Sequence, residues 1–218
     1  MLAEQTECNR CGACCREGGP ALHSADLELI TSGSLPFESL ITIRKGELVV
    51  SPDAGGLKAS QVELIKIKGK KGTWTCTYYD DESKGCSRYD TRPIACATLK
   101  CWDTTDILAM MEKDVLSRKD LLKPTSRAAK LVADFEAQCA NPDYEFLAEH
   151  KNAFSEEVKT ELGDAIKKDL LYRDKVSKEE KLTLDDELFL FGRPLFQLLQ
   201  PFGAKVFDSP MGIEVAWK

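Results

Sequence analysis

Cys8-Asn9-Arg10-Cys11-Gly12-Ala13-Cys14-Cys15 places four thiols in eight positions near the start of the chain. Four more follow at wider spacing, Cys76, Cys86, Cys96 and Cys101, and a ninth, Cys139, stands alone. Free cysteine is reactive and is usually buried singly, as a small hydrophobe. Clusters of it arise from disulfides or from metal, and the compartment separates the two. The opening residues, MLAEQTECNR, have neither a basic start nor an apolar run, so no secretory signal is expected there. No apolar stretch is long enough to span a bilayer; residues 188–199 are interrupted by Gly192, Arg193 and Pro194. A cytoplasmic location is therefore expected. In that reducing setting a dense cysteine set reads as metal-binding or redox-active rather than as a disulfide frame, and an odd count of nine agrees.

The composition, 43% hydrophobic and 30% charged over 218 residues, is that of a folded chain long enough to bury a core. Charge is unevenly spread. Residues 1–101 hold 13 basic and 13 acidic side chains, so the net −6 comes from the 17 basic and 23 acidic ones beyond. Neither part shows the basic face of a nucleic-acid binder. The one basic run, Lys66-Ile67-Lys68-Gly69-Lys70-Lys71, alternates and reads as the solvated face and turn of a hairpin.

Around the thiols the chain is rich in Gly and in short β-like runs. Residues 40–44 and 47–50 read as strands about Lys45-Gly46, and residues 62–68 alternate as a half-buried strand does. Residues 73–79, made of Thr and aromatics around Cys76, give the strongest strand signal. Ser24 reads as the cap of a short helix that Gly33 ends. After Asp103 the pattern turns helical. Helices are expected from Thr104 or Thr105, from Pro124 to about Cys139, from near Asp143, and over residues 154–171. Ser177 and Thr183 both open capping-box patterns, and the tail around Pro210 reads as a hairpin. The expected fold is α+β: a small, irregular, β-rich cysteine-cluster domain over residues 1–103, then a mainly helical region over residues 104–218 with a C-terminal β-hairpin.

Thiolate is a soft ligand that suits zinc, iron–sulfur clusters and Cu(I). The repeated spacing of Cys8, Cys11 and Cys14 matches the three-cysteine run of bacterial ferredoxins. Adjacent residues of an extended chain point opposite ways, so Cys14 and Cys15 serve two centres more easily than one unless the turn there is tight. Eight ligands make two four-cysteine sites, or a four-iron cluster plus a zinc, or one site with spare thiols. Cys139 is expected to be a small buried hydrophobe.

The quartet, followed by a distant Cys76, Gly85-Cys86-Ser87-Arg88-Tyr89 and Thr91-Arg92-Pro93-x-x-Cys96, resembles the YkgJ-like cysteine-cluster family, also called the CxxCxxCC family. Its members are described as zinc- or iron-chelating. The resemblance covers about residues 8–102. It implies that Cys8, Cys11, Cys14, Cys15, Cys76, Cys86 and Cys96 are the shared metal positions, with Cys101 beside them. A flagellin lysine methylase carries a similar cluster, but no glycine-rich nucleotide loop for methyl transfer is present here.

His23 reads as a capping or surface residue rather than as a ligand. Arg88 and Arg92 either offset thiolate charge or pair with Asp90 or Asp103. Trp74, Tyr78 and Tyr79 either shield the centre from water or form sheet core. Zinc-deaminase, zinc-protease, Walker and nucleophile-elbow motifs are all missing. The function expected is a Cys-only centre, a 4Fe-4S cluster or zinc, serving electron transfer, metal handling or another protein, with no nucleic-acid or membrane partner. The alternatives are a zinc-stapled interaction module and a redox or methyl-transfer enzyme, the latter with no convincing general base in the sequence.

Overall fold

The computed structural model describes residues 5–51, 56–151, 153–210 and 212–218. After the loop of Cys8 and Cys11 comes a one-turn helix, α1 (Ala13–Arg16), carrying Cys14 and Cys15. A 3-10 turn (Ser24–Asp26) runs into α2 (Leu27–Thr31), which ends where Gly33 takes φ 76°. The strands are β1 (Leu40–Ile43), β2 (Leu48–Ser51), β3 (Gly56–Ala59), β4 (Leu64–Ile67), β5 (Tyr79–Asp80) and β6 (Gly85–Cys86). They form three separate antiparallel pairs, β1 with β4, β2 with β3 and β5 with β6. The helices follow: α3 (Ile94–Thr98), α4 (Thr105–Met110), α5 (Arg118–Leu121), α6 (Arg127–Gln138), α7 (Tyr144–Glu149), α8 (Glu156–Glu180), α9 (Leu184–Leu190) and α10 (Leu195–Leu199). The hairpin of β7 (Ala204–Ser209) and β8 (Gly212–Trp217) closes the chain. The protein is α+β, with small two-stranded sheets, a helical middle and a C-terminal hairpin.

Local signals account for most of these boundaries. Ser126, Asp143 and Ser155 accept backbone N–H bonds at the starts of α6, α7 and α8. Thr183 and Asp186 form the expected capping box of α9. Two expectations fail, at residues 73–79 and at Ser177. Residues 73–79 are not one strand: Tyr79 N–H bonds back to the Cys76 carbonyl (3.0 Å), so the chain turns there, and only an isolated Gly69–Cys76 bridge and β5 remain. Strand propensity yields to the path of the chain around the thiols. The two strands expected on either side of Gly46 both form; β1 matches its buried face, Leu40 and Thr42, to Ile67 and Ile65 of β4, and β2 pairs with β3. Ser177 starts no helix. α8 continues through it, since Ile166, Asp169, Arg173 and Val176 keep one buried face in register.

Two apolar clusters hold these elements. The first joins Leu22, Leu40 and Ile65 to Phe135, Tyr172 and Phe191, and so draws on both sides of residue 103. The second packs Tyr144, Leu162 and Ile166 against Leu195, Leu199 and Phe202. A buried ionic network links them to the strands. Arg44 forks onto Glu136 (2.9 and 2.5 Å), Arg118 bonds Glu63 (2.5 Å) and Glu136 (2.7 Å), and Arg173 bonds Asp169 (3.0 Å). Arg193 bonds Glu47 (2.8 Å), whose side chain is wholly buried.

Candidate metal centre

Three segments carry the thiols. In the first, Arg10 (φ 53°) and Gly12 (φ 77°) both take left-handed backbone and fold the Cys8–Cys11 loop back on itself. Arg10 N–H then points at Cys8 Sγ (3.4 Å), the kind of bond that orients a metal-binding sulfur. Gly12 has no alternative: a Cβ there would lie 2.1 Å from the Tyr79 hydroxyl. Arg16 pins the same loop, donating to the Cys11 carbonyl (3.1 Å), the Tyr79 hydroxyl (3.3 Å) and Asp81 (2.9 Å).

The second segment arrives through the backbone. Cys76 N–H donates to the Cys15 carbonyl over 2.7 Å, and Tyr79 pairs with Cys86 across β5 and β6. The third is α3, which carries Cys96. Its first N–H, on Ile94, donates to Asp26 Oδ1 (2.8 Å), while His23 N–H donates to Oδ2 (2.9 Å). Asp26 is 2% exposed, so this one buried carboxylate ties α3 to the chain just after the quartet.

The thiols sense one another. Burial first, and then Cys76, Cys15, Cys14 and Cys86, push Cys96 up to about 12. Burial, then Cys14, Cys76 and Cys86, push Cys15 up to about 12. Burial also raises Cys14, with Cys8 and Cys11 adding to it, and raises Cys76, with Cys86 and Cys14 adding. Crowded thiols that resist ionisation are what a cation reverses, since binding trades protons for metal. The donor set, all sulfur, fits zinc or iron. Among the described residues no three His, Cys, Asp or Glu side chains are gathered tightly enough to hold a metal as they stand, so ligation needs the thiols to draw inward. Cys8, Cys11 and Cys14 lie at the exposed rim. Cys101 is exposed too, its sulfur accepting from the Gln5 amide at 3.7 Å.

The other candidates fall elsewhere. Cys139 is buried in the first core, its thiol pushed up to about 11 by burial and by Asp169; its carbonyl accepts from Arg44 (2.7 Å). His23 is buried, with its ring against the Lys113 carbonyl (3.0 Å). Arg88 and Arg92 pair with neither Asp90 nor Asp103: Arg88 donates to Ser34 (3.2 Å) and covers Tyr78, and Arg92 covers Tyr89. Trp74 is 64% exposed under Arg193, so of Trp74, Tyr78 and Tyr79 it is Tyr79 that meets the thiol loop, at Gly12. Sequence reading missed Asp26, which sits among helix formers and gives no sign of its second bond. It also missed the part played by Gly12, although a glycine following Cys11 was a usable signal.

No curated protein and no solved structure matches the chain. One family model does, over residues 7–120, which is more than half of the chain and includes the quartet, the β5–β6 pair and α3. Its description reads "Putative zinc- or iron-chelating domain". The chain, with its thiol loop, Cys76, Cys86 and Cys96 converging inside that span, belongs to the CxxCxxCC family.

Proposed function

We propose that the protein holds a Cys-only iron–sulfur centre and passes electrons or metal to another protein in the cytoplasm. Its ligands are drawn from Cys8, Cys11, Cys14, Cys15, Cys76, Cys86, Cys96 and Cys101. The supporting observation is the Cys15–Cys76 hydrogen bond, which seats the quartet against the later cysteines. The ferredoxin-like spacing favours a 4Fe-4S cluster, which when bound supplies one-electron chemistry. The exposed rim of Cys8, Cys11 and Cys14 leaves the centre within reach of a partner. No helix among the described residues is long and apolar enough to cross a membrane.

A second reading, structural zinc, has its own support. The three sheets of the first part have two strands each, and β5 pairs with β6 through two residue pairs only. Such hairpins are marginal in water, and a closed four-cysteine zinc site would staple them.

Metal analysis and an absorption spectrum of protein purified without oxygen separate the two. Iron, acid-labile sulfide and a broad band near about 400 nm support the cluster. A colourless protein with zinc supports the staple. A chain without either metal overturns both. Alanine at both Cys14 and Cys15 is expected to abolish metal binding; full retention of metal would overturn the ligand set.

A further inference from the structure

Tyr89 lies outside the thiol set, yet two guanidinium groups converge on its ring. Arg10 Cζ stands 4.3 Å from the ring centroid and Arg92 Cζ 4.2 Å. Arg92 is a near neighbour, and it also donates to the Tyr89 carbonyl (2.6 Å). Arg10 comes from the far side of the sequence, between Cys8 and Cys11. It is also the residue whose N–H points at Cys8 Sγ and whose backbone is left-handed, an uncommon state for a non-glycine residue. Like charges gather on one ring only where the ring's negative face attracts both. Neither arginine has a carboxylate partner among the described residues, and the Tyr89 hydroxyl has no hydrogen bond there. The aromatic face is thus the part of Tyr89 in use.

From this geometry we propose that Tyr89 is a positioning residue, a cation–π clasp that holds the Cys8–Cys11 loop onto the segment running from Cys86 to Cys96. It bridges two of the three thiol-bearing segments through side chains alone, at the exposed rim where the loop has no strand or helix to hold it. The clasp sets how readily that loop lifts, and so how fast a bound metal ion leaves. This consequence rests on the metal-binding reading above; the clasp itself does not.

The test uses the full chain and three variants, Tyr89→Leu, Tyr89→Phe and Arg10→Gln. In metal-free protein, the Arg10 side-chain methylene protons should be shifted upfield by the ring in the unsubstituted chain and in Tyr89→Phe, and should return to ordinary positions in Tyr89→Leu. With zinc loaded, transfer to a coloured chelator should be about two- to fivefold faster in Tyr89→Leu and Arg10→Gln, and unchanged in Tyr89→Phe. Arg10 is exposed, so its variant keeps the test open should Tyr89→Leu fail to fold. The clasp is overturned if the ring shift is missing in the unsubstituted chain. It is equally overturned if Tyr89→Phe behaves like Tyr89→Leu, or if Arg10→Gln releases zinc at the original rate. A chain that shows the ring shift but takes up no metal leaves the clasp standing and overturns the metal-binding reading.

Discussion

The Tyr79 hydroxyl fills the space that a side chain on Gly12 would need, 2.1 Å from where its Cβ would sit. Gly12 also holds φ 77°, so an alanine there meets both a strained backbone and a buried ring. Gly12→Ala is expected to cost about 2 kcal/mol of stability in the metal-bound protein and to lower metal affinity together with it. Thermal unfolding and chelator competition on one preparation would check this; an unchanged affinity would mean that the loop does not need Tyr79 as its seat.

Asp26 accepts from His23 and from Ile94 with its two carboxylate oxygens. Asn in its place keeps one acceptor and turns an NH2 toward an N–H donor. Asp26→Asn should therefore loosen α3 and with it Cys96, weakening metal binding by roughly 10–100-fold, the usual effect of removing a group that orients a ligand. Metal titration of folded variant protein reads this directly.

Glu47 is buried without exposure, facing Arg193 and the Arg44 N–H. Burial pushes its carboxyl above the ordinary range, against the opposing pull of Arg193. The folded state thus holds the proton more tightly than the unfolded one. The contribution of Glu47 to stability falls as pH rises from the ordinary carboxylate range through its raised folded value. Arg193→Met should cost about 3–5 kcal/mol where Glu47 is ionised, because a buried charge loses its partner. The loss should be larger at about pH 8 than at about pH 5. Denaturant unfolding at the two pH values would show it, and an equal loss at both would discount the pair.

Cys139 sits in the first core with its thiol held up at about 11. Cys139→Ala should leave metal content unchanged and cost about 1 kcal/mol. In metal-free protein Cys139 should alkylate more slowly than the exposed Cys8, Cys11 and Cys101, as its protonated, buried form is a poor nucleophile. Metal analysis and denaturant unfolding of Cys139→Ala check the first expectation, and mass spectrometry after timed alkylation checks the second.

Sequence alone located the quartet, the later cysteines, the cap at Thr183, the helix start near Asp143 and the terminal hairpin. Each is a local signal, complete within a turn or a spacing. Only the tertiary structure decided that β1 pairs with β4, that residues 73–79 break at Cys76, and that α8 runs through Ser177. It also decided the placing of Arg10 on Tyr89 and of Asp26 under α3. The physical reason is the same in each case. A strand's partner, a helix's end and a ligand's support are fixed by what the segment can bury against, and that surface is assembled from residues distant in the chain. Spacing singled out the thiols expected at a metal; burial and long-range hydrogen bonds decided which elements carry them and what those elements pack against.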